Sequence, residues 1–164
     1  MRVIVVGGSS RNVGKTTLAA ALIAGTSGSR TAAMKVSVRE SPCATAVRVM
    51  RDASAVDRHH DAETLLAAGA FVVIWVTVHR PSVRAGLAAG LRAARALRPA
   101  TVVIESTSAG IELRRIDESF FVAGDDAWKP WAERHRARAD SVVHSREVFS
   151  ASSRQAGMPN QSGR

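Results

Sequence analysis

At 164 residues the chain is sized for one domain with a substantial core, and its 46% hydrophobic content is that of an ordinary globular protein. The net charge of +9 comes from 20 arginines and three lysines scattered along the sequence without aromatic interleaving, which argues against a nucleic-acid surface despite the pull on polyanions. A single cysteine, Cys43, excludes an internal disulfide and a cysteine-built zinc site, and the five histidines show no metal-ligand spacing.

The first element is Val3-Ile4-Val5-Val6, a β-branched apolar run suited to a buried parallel strand. A glycine-rich stretch leads from it into Leu18–Ile23, which is rich in helix formers. After a turn at 26–29, Thr31–Val36 reads as a second strand ending near Lys35. No periodicity holds from Ser37 to Asp57; a long loop is expected, with a short helix over Thr45–Met50. His60–Ala70 then predicts a short helix closed by Gly69, followed by a buried strand over Phe71–Val78. Pro81 opens an amphipathic helix, Ser82–Leu97, which Pro99 ends. The remaining expectations are strands at Thr101–Glu105 and Ser119–Ala123, a helix over Trp128–Ala137 and a short strand at Asp140–Val143. From Ser150 the composition reads as a disordered tail, dividing the chain into a domain at 1–149 and a tail at 150–164.

Strands alternating with helices predict an α/β fold: a mostly parallel sheet covered on both faces, with the ligand at the carboxyl ends of the strands. Gly7-Gly8-Ser9-Ser10 interrupts the first apolar run, so no signal peptide is expected. The longest apolar stretch, Ala67–Val78, is too short to span a membrane. The chain reads as cytoplasmic.

The stretch Gly8-Ser9-Ser10-Arg11-Asn12-Val13-Gly14-Lys15-Thr16-Thr17 sits between strand and helix, where a phosphate-binding loop belongs. Its backbone amides, from Gly8 and from Arg11 to Thr17, would face a polyphosphate with the helix dipole behind them. Lys15 would reach the β- and γ-phosphates, and the Thr16 hydroxyl would bind Mg²⁺. The usual spacing leaves four residues between the glycines; here five separate Gly8 from Gly14, with Ser9 as the extra one. A single-domain P-loop NTPase fold is therefore the expected class.

Lysine is so rare here that its positions are informative: Lys15, Lys35 and Lys129. Lys35, at a strand end, would contact the terminal phosphate or a substrate carboxylate. Glu105 ends an apolar strand, where an acid would bind Mg²⁺ directly or through water. Asp61 and Glu63 begin the short helix, where they either complement its dipole or give a second metal or water contact. His59 and His60 read as exposed loop residues, and Cys43 as a lone thiol with no local histidine. Asp125, Asp126 and Lys129 follow a late strand, where a nucleotide base is often read, but no Asn-Lys-x-Asp signature selects guanine.

The five-residue spacer before Val13-Gly14-Lys15-Thr16 resembles the loop of dethiobiotin synthetases and cobyrinic acid amide synthetases. From about Met1 to Val143 the order of features resembles the molybdopterin-guanine dinucleotide biosynthesis adaptors of the MobB type. The likeness lies in Gly14-Lys15-Thr16-Thr17, in Lys35, and in Asp61-Ala62-Glu63-Thr64-Leu65-Leu66-Ala67-Ala68-Gly69-Ala70. The chain differs in having Glu105-Ser106 for a Glu-Gly pair, and Val36-Ser37 where histidines are common. This resemblance implies a Mg²⁺-dependent nucleoside triphosphate-binding protein, with GTP favoured over ATP and weak NTPase activity. It would serve as an adaptor in molybdenum cofactor biosynthesis, with a partner protein and a homodimer across the nucleotide site. Lys15, Lys35 and Glu105 would be the catalytic groups and Thr16, Glu105 and Asp61 the metal ligands. The alternatives are an ATP-dependent carboxylate-activating enzyme of the dethiobiotin synthetase type, with its pocket beside Lys35, and a small-molecule kinase. The kinase would draw a basic lid from Arg39, Arg48, Arg51 and Arg58.

Overall fold

A computed structural model describes residues 1–26, 29–52 and 60–156, with side chains described as far as residue 150. Among the described residues seven strands form one sheet: β1 (Arg2–Gly8), β2 (Thr31–Arg39), β3 (Ala46–Met50), β4 (Val72–His79), β5 (Thr101–Glu105), β6 (Glu118–Ala123) and β7 (Ser141–His144). Their order is β3-β4-β2-β5-β1-β6-β7, parallel throughout except for β3, which runs antiparallel along the edge of β4. The helices are α1 (Lys15–Gly25), α2 (His60–Ala67), α3 (Val83–Ala96), α4 (Thr107–Glu112), α5 (Ala132–Arg136) and α6 (Ser145–Ala156). None among the described residues is long and apolar enough to cross a membrane.

The period-two alternation of the strands divides the core between two faces. Ile4 and Val6 of β1 pack with Ala19 and Ile23 of α1, Ala62 and Leu65 of α2, and Val148 of α6. Val5 points the other way, into the cluster that holds Val83, Leu87, Leu91 and Ala94 of α3 and Ala109 of α4. The neighbouring strands β1 and β5 therefore send their connections to opposite faces, α1 to one and α4 to the other. This divergence opens a crevice at their carboxyl ends.

The register gives that crevice a stepped floor. Lys35 of β2 pairs with Glu105 at the end of β5, and Glu105 with Val6 of β1. Beyond this level β2 continues paired with β4 as far as Arg39↔His79. At about 3.3 Å per residue, the four extra residues raise a wall about 13 Å high beside the ends of β5 and β1.

Several expectations are corrected. Lys35 is not a strand end, since β2 runs on to Arg39. The helix expected over Thr45–Met50 is strand β3, because the β-branched Val47 and Val49 extend the sheet at the open edge of β4. The expected loop is thereby shortened at both ends, and residues 53–57 of it lie outside the described residues, as does His59. Helix α4 was not anticipated. The helix expected from Trp128 is confined to Ala132–Arg136, and α6 continues through the position where a tail was expected to begin at Ser150.

Candidate functional site

The loop between β1 and α1 turns on two left-handed residues, Asn12 at φ 58° and Gly14 at φ 98°. A side chain at Gly14 would be strained by that φ, and its Cβ would also stand 3.1 Å from Val148. Helix α1 starts with no side-chain cap and no acid in its first turn. The positive end of its dipole is therefore met by no side-chain acceptor at the cap. The loop is anchored elsewhere. Thr107 Oγ1 accepts from the Gly8 amide at 3.1 Å and donates to the Gly8 carbonyl at 3.0 Å. Ser9 is fully buried; its Oγ accepts from the Gly124 amide at 2.8 Å, and its carbonyl accepts from the Lys129 amide at 2.9 Å. The extra residue in the glycine spacing thus fastens the loop to the segment after β6.

Thr16 begins the chemistry. Its hydroxyl lies 2.9 Å from Glu105 Oε2 and 3.2 Å from Asp61 Oδ1. Lys35 Nζ closes the ring with an ion pair to Asp61 Oδ2 at 2.8 Å and another to Glu105 Oε1. Glu105 is only 3% exposed, so the adjacent ammonium is its compensation for burial. Burial pulls the Lys35 pKa down, but the charge of Glu105 and its hydrogen bonds raise it above the ordinary lysine value. Burial likewise pushes the Asp61 carboxyl up, but the hydrogen bond and charge of Lys35, with the Thr16 hydroxyl and His60, together hold it below the usual value.

Lys15 lies across the loop and donates to the Ser10 carbonyl at 2.5 Å. Burial, followed by the charge of Lys129, lowers its pKa to about 8. Lys129 is also lowered, first by burial and then by Arg11, Arg80 and Lys35. All three lysines line one cleft of 820 Å³, within the range of small-molecule sites.

The predicted residues therefore converge, with distinctions the sequence does not reveal. Arg11, Asn12, Gly14, Lys15, Thr16, Thr17, Lys35, Asp61 and Glu105 all line the cleft. Gly8 forms the base of the loop, whereas the Val13 side chain belongs to the core. Asp61 joins the site while Glu63 stays outside it, 3.5 Å from the exposed His60. Cys43 is exposed. Asp125 pairs with Arg146 at the surface, and Asp126 is exposed. Arg80, Trp131 and Ser108 also line the cleft, and no sequence signal singles them out.

Hard oxygen donors on Thr16, Asp61 and Glu105 suit Mg²⁺, which usually keeps several water and phosphate ligands. Among the described residues no cluster of three or more His, Cys, Asp or Glu stands together as an all-protein metal cage. No family model matches the chain, and no match is found among curated proteins or solved structures.

Proposed function

We propose that the protein binds a nucleoside triphosphate with Mg²⁺ in this cleft and hydrolyses it slowly. The observation that carries this reading is the convergence on one point of the uncapped start of α1, the Lys15 ammonium and the Thr16–Glu105–Asp61 oxygens. The amides of the first turn of α1 would receive the phosphates, and Lys15 would transfer from the Ser10 carbonyl to phosphate oxygens. Thr16, with Asp61 and Glu105 directly or through water, would hold the Mg²⁺, which when bound neutralises charge on the β- and γ-phosphates.

Slow turnover follows from the state of the acids. Asp61 and Glu105 are paired with Lys35, and Glu40 with Arg80, so among the described residues each carboxylate lining the cleft is paired with a cation. None stands ready as a general base for an attacking water. GTP in preference to ATP, and an adaptor role in molybdenum cofactor biosynthesis, rest on the sequence resemblance alone.

Titration calorimetry with MgATP and MgGTP tests the reading. Submillimolar affinity is expected for at least one of them, falling about 100-fold in Lys15→Ala as charge-assisted phosphate contacts are lost. An unchanged affinity in that variant refutes it.

A further inference from the structure

The cleft is larger and more cationic than a phosphate loop requires. Arg11, Lys15, Lys35, Arg39, Arg80 and Lys129 line it against three carboxylates, Glu40, Asp61 and Glu105. A Mg-bound triphosphate brings roughly two negative charges and leaves a surplus of positive charge. Lys35 is matched by Asp61 and Glu105, and Arg80 by Glu40. The surplus falls on Arg11, Lys15, Arg39 and Lys129, which have no carboxylate within ion-pair distance among the described residues. Lys129 is half-buried, and the charges of Arg11, Arg80 and Lys35 outweigh that of Glu105 at its ammonium.

The cleft extends beyond the start of α1. Above the floor formed by Ser106, Thr107 and Ser108, the wall of β2 and β4 rises on one side and the segment carrying Lys129 and Trp131 stands on the other. A roof spans them: Arg80, fixed by the Glu40 carboxylate with Nε at 2.7 Å from Oε2, lies 3.8 Å over the Trp131 ring. Lys35 and Glu105 line the same cleft.

We propose that this chamber is a second subsite, which takes a small ligand bearing an oxyanion, either carboxylate or phosphate, held by Lys129 beneath the Arg80–Trp131 roof. The placement beside the terminal phosphate rests on the nucleotide reading; the subsite itself rests on the charge and shape of the chamber.

The test uses the full chain saturated with Mg²⁺ and the β,γ-imido analogue of the favoured nucleotide, titrated calorimetrically with inorganic phosphate and, separately, with succinate. Binding of at least one of them in the millimolar range or tighter is expected, and the stronger of the two identifies the oxyanion. Lys129→Gln should weaken it about tenfold or more while nucleotide affinity stays within about threefold. Trp131→Ala should weaken it, and Trp131→Phe should restore it. The proposal is overturned if neither anion binds the loaded protein, or if Lys129→Gln leaves anion affinity unchanged. It is also overturned if Lys129→Gln damages nucleotide binding as severely as Lys15→Ala, which would assign Lys129 to the triphosphate. If wild-type protein binds no nucleotide, the same anions are titrated into empty protein. Binding lost in Lys129→Gln but kept in Lys15→Ala then upholds the subsite while the nucleotide reading fails; the reverse pattern refutes the subsite.

Discussion

Lys15 holds its proton weakly because burial and Lys129 both oppose the charge. A bound polyphosphate favours the ammonium, so above pH 8 nucleotide binding must take up a proton. Affinity is expected to fall about tenfold between pH 7 and pH 9, with proton uptake read from calorimetry in buffers of different ionisation enthalpy. A second residue-scale expectation concerns His135, whose ring is buried against two glycines. A Cβ on Gly110 would lie 2.1 Å from its Cδ2, and one on Gly7 would lie 2.0 Å from its Nδ1. Gly110→Ala should cost about 1–3 kcal/mol in urea unfolding through this overlap. The same change made in His135→Ala should cost much less. The loop residues were legible because strand, loop and helix follow one another at short, fixed spacing, and Glu105 because it closes an apolar strand. Asp61 and Glu63 could not be separated, since only the docked orientation of α2 decides which carboxylate faces Thr16. Arg80, Trp131 and His135 owe their positions to long-range packing, which leaves no local mark in the sequence.

At the scale of elements, strands with continuous apolar runs were readable to within a residue or two, as β4 and β5 show. Strand β3 was not, because a five-residue segment with three of its residues exposed has little pattern of its own and is formed by the edge of β4. Helix α4 was missed for a related reason: Ser106-Thr107-Ser108-Ala109-Gly110 has low helix propensity, and its six-residue helix is stabilised by packing and a cap. Ser106 supplies that cap, its Oγ accepting from the Ala109 amide at 3.2 Å. Ser106→Ala should destabilise the protein by about 1 kcal/mol and Ser106→Gly by only a few tenths, measured by denaturant midpoint. Ser106 thus has a local structural role.

For the whole molecule, acid stability should depend on His135, which is fully buried behind the site between β1, β6 and α4. Its Nε2 pairs with Ser119 Oγ at 2.9 Å, while Nδ1 is the buried side-chain atom without a partner among the described residues. Burial, reinforced by Arg138, lowers its pKa from 6.5 to about 4, so the folded state carries it neutral. The unfolded chain binds the proton first as pH falls. The stability that depends on the neutral ring is therefore complete above about pH 6.5 and declines toward pH 4, by roughly 3 kcal/mol at most. Chemical denaturation from pH 7 to 4 should show this decline, and His135→Gln should flatten it. A different consequence follows from all three lysines lining one cleft in a chain whose other basic side chains are arginine and histidine. Amine-selective acylation at pH 8 has no lysine to modify outside that cleft. Lys15, with its depressed pKa, should react ahead of Lys35, so a reagent that is indiscriminate on most proteins becomes a footprint of site occupancy on this one.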